Sequence, residues 1–136
     1  MIKTVINKII EQLKESGINE VYSFFDNISV AQKGNGIYNI VGIECFESSV
    51  PIYSMYYYFI PFRAEASISV TASTGCNASE LYDYFDSKIL PVIKNISGMS
   101  CIIRNITLKK DDNINRMVLK LRFSVAGTSQ IERGVL

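Results

Sequence analysis

The chain contains no histidine among its 136 residues, which removes the commonest general acid–base group and the commonest metal ligand. Ser-His-Asp and Cys-His catalytic arrangements are therefore excluded by composition. The three cysteines, Cys45, Cys76 and Cys101, are widely separated and odd in number. They form no CxxC pair and no metal-ligand spacing, so free, buried thiols in a reducing cytosol are expected. The chain also lacks a dominant charge: 14 basic and 13 acidic side chains leave a formal net charge of +1. No overall field steers it onto nucleic acid or an anionic membrane. Long apolar runs are missing too. The most apolar stretch, Ile52 to Phe62, is interrupted by four tyrosines and a proline and falls far short of the ~20 residues needed to span a bilayer. Lys3, Lys8 and Glu11 break up the N-terminus, so no signal peptide is read there. A soluble, intracellular protein that is not an enzyme is the expectation, with no cofactor, no metal, no membrane and no specific nucleic-acid partner.

What remains is a chain of ordinary globular balance, 48% hydrophobic and 20% charged, whose length suits one domain with a real core. Ile2, Val5, Ile6, Ile9, Ile10 and Leu13 recur at helical spacing, and Gly17 follows where a left-handed cap is wanted. From Val21 to Val30 the pattern fits a strand or a short helical turn followed by one. Lys33-Gly34-Asn35-Gly36 reads as a turn, and Ile37 to Phe46 as a central strand. Ala64, Ala66, Ile68, Val70 and Ala72 then alternate with Arg63, Glu65, Ser67, Ser69 and Thr71, the mark of a strand with one buried face. The small alanines imply that a helix packs closely on that face. Pro61 cannot donate to a ladder, so the strand should bend or reach an edge there.

Asn77 can cap a second helix with Glu80 three residues on, and Leu81, Phe85, Ile89, Val92, Ile93 and Ile96 carry its apolar stripe. Pro91 lies inside the stripe and should kink or restart the helix. Cys101 to Lys110 and Met117 to Val125 read as a hairpin across an Asp111–Asn115 turn. The expected fold is α+β, a mainly antiparallel sheet flanked by two helices in the order α-β-β-β-α-β-β. Residues 1–127 form the domain, and 128–136, which lose periodicity, form a C-terminal arm.

Sites with catalytic or binding chemistry are hard to place. Asp83 and Asp86 fall on the exposed side of the second helix. Asp111-Asp112-Asn113 lacks the further ligands of a calcium loop, and Lys33-Gly34-Asn35-Gly36 lacks the ending of a phosphate loop. Lys109, Lys110, Arg116, Lys120 and Arg122 put five cations on the terminal hairpin, where a solvated face is the simplest reading. The aromatic run Tyr53, Tyr56, Tyr57, Tyr58 and Phe59 stands out. Tyrosines of this kind either fill a bend in the domain's own core or lie in a subunit interface.

The pattern of elements, with its nearest stretch Phe62–Ser73 running into Asn77–Phe85 and the Cys101–Gly127 hairpin, resembles the tail terminator (tail completion) proteins of long-tailed phages. That resemblance implies a homo-oligomeric ring, commonly a hexamer, that caps the tail tube and stops its polymerisation. It implies partners in the tube and in sheath or head-connector proteins, within a phage, a prophage or a phage-tail-like bacteriocin. The protein would assemble in the bacterial cytoplasm and end in the virion or tail-like particle. On this reading Tyr56, Tyr57 and Tyr58 supply one part of the subunit interface, and Ile131 and Arg133 of the arm reach a neighbour. Two alternatives stay open: another neck or tube-initiation component, and a ferredoxin-like ligand-binding regulatory module.

Overall fold

A computed structural model describes residues 2–18, 20–23, 36–73, 75, 77–96, 98–112 and 115–132. The first helix, α1 (Ile2–Glu15), buries Val5, Ile6, Ile9 and Leu13. It ends where Gly17 takes φ +96°. The Gly17 N–H donates to the Lys14 carbonyl at 3.0 Å and the Ile18 N–H to the Leu13 carbonyl at 3.1 Å. Those two bonds satisfy carbonyls that the helix end would otherwise orphan, and a side chain at position 17 would strain the turn.

The strands are β1 (Val21–Ser23), β2 (Tyr38–Ser48), β3 (Ile52–Tyr53), β4 (Tyr57–Ser73), β5 (Ser100–Asp111) and β6 (Arg116–Glu132). They form one six-stranded sheet in the order β1-β2-β4-β6-β5, with β3 paired to β4. The β1–β2 pair is parallel and the remaining pairs are antiparallel. The expected α+β class, mainly antiparallel with flanking helices, is therefore the observed one. Residues 24–35, which include most of the ambiguous Val21–Val30 stretch and most of the Lys33–Gly36 turn, lie outside the described residues, as does Cys76.

Ala64, Ala66, Ile68, Val70 and Ala72 of β4 face the helices beside Leu119, Leu121, Phe123 and Val125 of β6, all of them buried. A single core joins these rows to the stripes of the two helical stretches. The second stretch opens at α2 (Ala78–Tyr84), where the Asn77 side chain accepts from the Ser79 N–H at 2.9 Å. It widens into a π turn at Phe85–Ile89 and resumes as α3 (Leu90–Lys94). The Leu90 N–H reaches back to the Phe85 carbonyl, one residue further than in an α-helix. Pro91 has no N–H and its ring crowds the preceding turn, so a wider turn just before it is the physical outcome of the expected restart. Leu81, Phe85, Ile89, Val92, Ile93 and Ile96 are all buried, and Asp83 and Asp86 are exposed.

Two expectations are corrected. Cys45 is exposed, whereas a buried thiol was expected. The β2–β4 register shifts between Ile43 and Cys45, so the extra residue Glu44 turns Cys45 to the open face and Phe46 to the helix face. Cys101 is half-buried, and burial raises its thiol pKa. Second, the stretch expected as an arm from residue 128 is strand as far as Glu132, with Tyr57 to Pro61 opposite Glu132 to Thr128. Gly127 is where that continuation passes: a Cβ there would meet the Phe62 ring at 3.0 Å and Met99 at 3.2 Å. Residues 133–136 lie outside the described residues.

Candidate assembly surface

Below Phe62 the sheet leaves its core. β3, residues 57–61 of β4 and residues 128–132 of β6 continue it as a three-stranded finger. Pro61 sits at the junction. Its carbonyl accepts from the Ser49 N–H at 2.8 Å, so its backbone polar groups point to the β2 side, just past the last β2–β4 pair at Ser48 and Phe62. The missing donor therefore costs neither the β4–β6 ladder nor a β2 pair, and Pro61 occupies the local edge that its chemistry allows.

The finger's turn runs from Ser54 to Tyr57. The Ser54 N–H and hydroxyl both donate to the Tyr57 carbonyl, at 2.8 and 2.9 Å, and the Tyr57 N–H donates to the Ser54 hydroxyl at 3.2 Å. These bonds hold Met55 and Tyr56 at the tip, 78% and 69% exposed. Strand alternation puts Tyr53 and Tyr58 on one side, with rings 5.7 Å apart, and Ile52, Tyr57 and Phe59 on the other, with the Tyr57 and Phe59 rings 6.5 Å apart. Both sides of the finger are thus apolar. Val50, Ile52 and Tyr53 are also more than half exposed, and Tyr57 is 39% exposed. Together these residues expose on the order of 800 Å² over the tip and both sides of the finger, about one partner's share of a standard interface.

Of the residues expected in an interface, Tyr56 and Tyr57 are on this surface. Tyr58 is 7% exposed, buried within the finger rather than in the main core. Ile131 lies directly opposite Tyr58 in the ladder. The aromatic run and the start of the expected arm therefore sit side by side on one finger, whereas the sequence placed them on separate patches. Arg133 lies outside the described residues. A second exposed group, Ile102, Ile103 and Ile106, belongs to the edge strand β5 and had no distinguishing signal beyond an ordinary strand pattern.

The open face of the sheet is polar and internally paired. Lys120 reaches Glu44 at 2.8 Å and Arg122 reaches the same carboxylate at 3.5 Å. The Lys120 hydrogen bond, with both cations nearby, lowers the Glu44 pKa against the smaller opposing effect of burial. Ser124 donates to Glu65 at 2.8 Å and accepts from Arg104 Nε at 2.7 Å. Arg116 is buried, donating to the Thr71 hydroxyl and carbonyl at 3.3 and 3.2 Å and to the Gly36 carbonyl, with the Tyr38 ring 4.5 Å away. Lys110 pairs with Asp112 at 3.7 Å. Four of the five hairpin cations thus have partners within the chain, although Thr107, Lys109, Val118 and Lys120 border a concavity of about 590 Å³. Among the described residues, no group of three or more His, Cys, Asp or Glu side chains could hold a metal ion. No helix among them is long and apolar enough to cross a membrane.

No family model and no curated protein matches the chain. Solved structures do share its fold. A chain from the virion of a native gene transfer agent particle overlaps at TM-score 0.50 and 11% identity, covering 89% of this chain and 92% of that one. A second solved structure overlaps at TM-score 0.50 and 12% identity, covering 93% and 95%. The type 4 fimbrial biogenesis protein PilO from Pseudomonas aeruginosa overlaps over 94% of this chain and 72% of its own at TM-score 0.35 and 11% identity, too low a score to carry an argument. At these identities the likeness is one of fold.

Proposed function

We propose that the protein is a structural subunit of a phage-tail-like particle, a tail terminator that forms a ring, caps the tail tube and stops its growth. The observation that carries this reading is the finger, where Val50, Ile52, Tyr53, Met55, Tyr56 and Tyr57 are exposed to solvent. Covering them favours a packed neighbour, since apolar area removed from water stabilises by roughly 25 cal/mol per Å² before the cost of association is met. The shared fold with a gene transfer agent virion chain, aligned over 89% of this chain at TM-score 0.50, is compatible with a place in a particle of that kind. Sheath or head-connector proteins would meet the ring on its far side.

Labelled protein mixed with partially assembled tails tests the role. A terminator binds one end of the tube and holds tube length constant as tube protein is added. Label along the tube, or tubes that lengthen equally with and without the protein, would overturn it. Label confined to the baseplate end would instead identify a tube-initiation component.

A further inference from the structure

β6 is longer than its outer neighbour. β5 pairs with residues 116–126 of β6, while β4 pairs with all of it, through Glu132. Residues 128–132 therefore have a strand on one side and, among the described strands, none on the other. The direction of their backbone groups follows from Pro61. Its polar groups point toward Ser49, so Pro61 and Thr128 are a non-hydrogen-bonded pair, and the Thr128 N–H and C=O point away from β4. Alternation gives the same outward direction to Gln130 and Glu132. Thr128 and Gln130 are exposed, so this is a short sheet edge open to pairing.

The apolar tip of the finger lies across the sheet from that edge. β3 flanks β4 on the side opposite β6 and at the same level, with Ile52 and Gln130 both opposite Phe59. One surface is apolar and the other is an unfilled strand position, and they face opposite ways. A rotation about an axis along the strands brings them together head to tail, the geometry that closes rings, whereas a two-fold axis would pair each with itself.

We propose that the lower edge of β6, residues 128–132, receives residues 50–57 of the finger of a second copy, with β3 lying parallel beside it. With Gln130 level with the neighbour's Ile52, the outward Gln130 N–H donates to the neighbour's Pro51 carbonyl, and the finger's side chains supply most of the buried area. This rests on the ring reading above and names the contact that would build the ring.

The test uses the full chain carrying Ile52→Cys and Gln130→Cys, with each single substitution as a control for the native thiols. Within one chain these positions are separated by two strand spacings, about 10 Å, beyond the reach of a disulfide. Mild oxidation should give a ladder of covalent oligomers on a non-reducing gel from the double variant only. A companion variant, Gln130→Pro, removes one outward donor and leaves the β4–β6 bonds intact. It should keep its circular dichroism spectrum and lose the oligomer on size-exclusion chromatography with light scattering. If the unmodified chain assembles but the double variant gives no ladder, or Gln130→Cys alone cross-links as well, this contact is wrong while the ring stands. Folded Gln130→Pro that assembles normally overturns the contact in the same way. An unmodified chain that stays monomeric overturns both. If Gln130→Pro fails to fold, the cross-linking result decides alone.

Discussion

The upper and lower halves of β4 are built from the same strand by opposite rules. From Arg63 to Ser73 small and apolar residues alternate with polar ones; the apolar row is buried under two helices and the polar row lies on a charged open face. From Tyr57 to Phe62 the strand is apolar on both faces, and Tyr53, Met55 and Tyr56 of the adjoining turn are solvent-facing. The upper half satisfies itself within one chain. The lower half has the composition of an interior without one. In a chain this small, the contrast separates residues that hold the domain together from exposed apolar residues that, on the proposed reading, serve a neighbour.

That comparison is most strongly tested by substitutions that should affect only one half. Phe123→Ala, in the buried row of β6, should lower unfolding stability by about 3–5 kcal/mol through lost burial and a cavity. Urea unfolding followed by circular dichroism measures it; a loss below about 1 kcal/mol would place the core elsewhere. Asn77→Ala removes the cap on α2 and should cost about 1 kcal/mol in the same assay, with no change in assembly. The smallest effect belongs to Glu44. Its folded-state pKa lies below the ordinary 4.5, chiefly because Lys120 hydrogen-bonds the carboxylate. A depressed carboxylate pKa adds stability above the unfolded-state value, and that stability is lost as pH falls through the lower folded-state value. The pair is partly exposed, so the contribution should be below about 1 kcal/mol. Glu44→Gln should lose this small contribution at neutral pH and converge on the unmodified chain as pH falls below about 4.5, which flattens the acid limb of the stability–pH curve. An equal loss at every pH would mean that packing of Glu44, not its charge, matters.

Much of the upper half is legible in the sequence because each rule there acts locally. The alternation from Ala64 to Ala72 and from Met117 to Val125, the left-handed Gly17 and the Asn77 cap all read directly from their neighbours. Glu44 is where this fails. One extra residue in β2 reverses the facing of Cys45 and Phe46, and nothing local in Ile43-Glu44-Cys45-Phe46 marks the bulge. The finger was half legible. Its tyrosines declare a buried or bound surface, but Thr128-Ser129-Gln130 carries no apolar alternation, so its pairing with Tyr57–Pro61 rests on partners about 70 residues away in sequence. Pro91 is intermediate: the break was visible, while its form as a π turn depended on the helix staying packed on both sides of it.

The finger's role can be measured directly by comparing the molar mass of the unmodified chain with that of a Met55→Ser, Tyr56→Ser variant. Light scattering across a concentration series is the assay, with urea unfolding of the variant as its companion. An assembly surface predicts a closed oligomer from the unmodified chain, a monomer from the variant, and unfolding stability within about 0.5 kcal/mol of the unmodified value at these exposed positions. Equal masses for the two proteins, or a variant that stays assembled while losing several kcal/mol of stability, would contradict it and return these side chains to the domain's own packing.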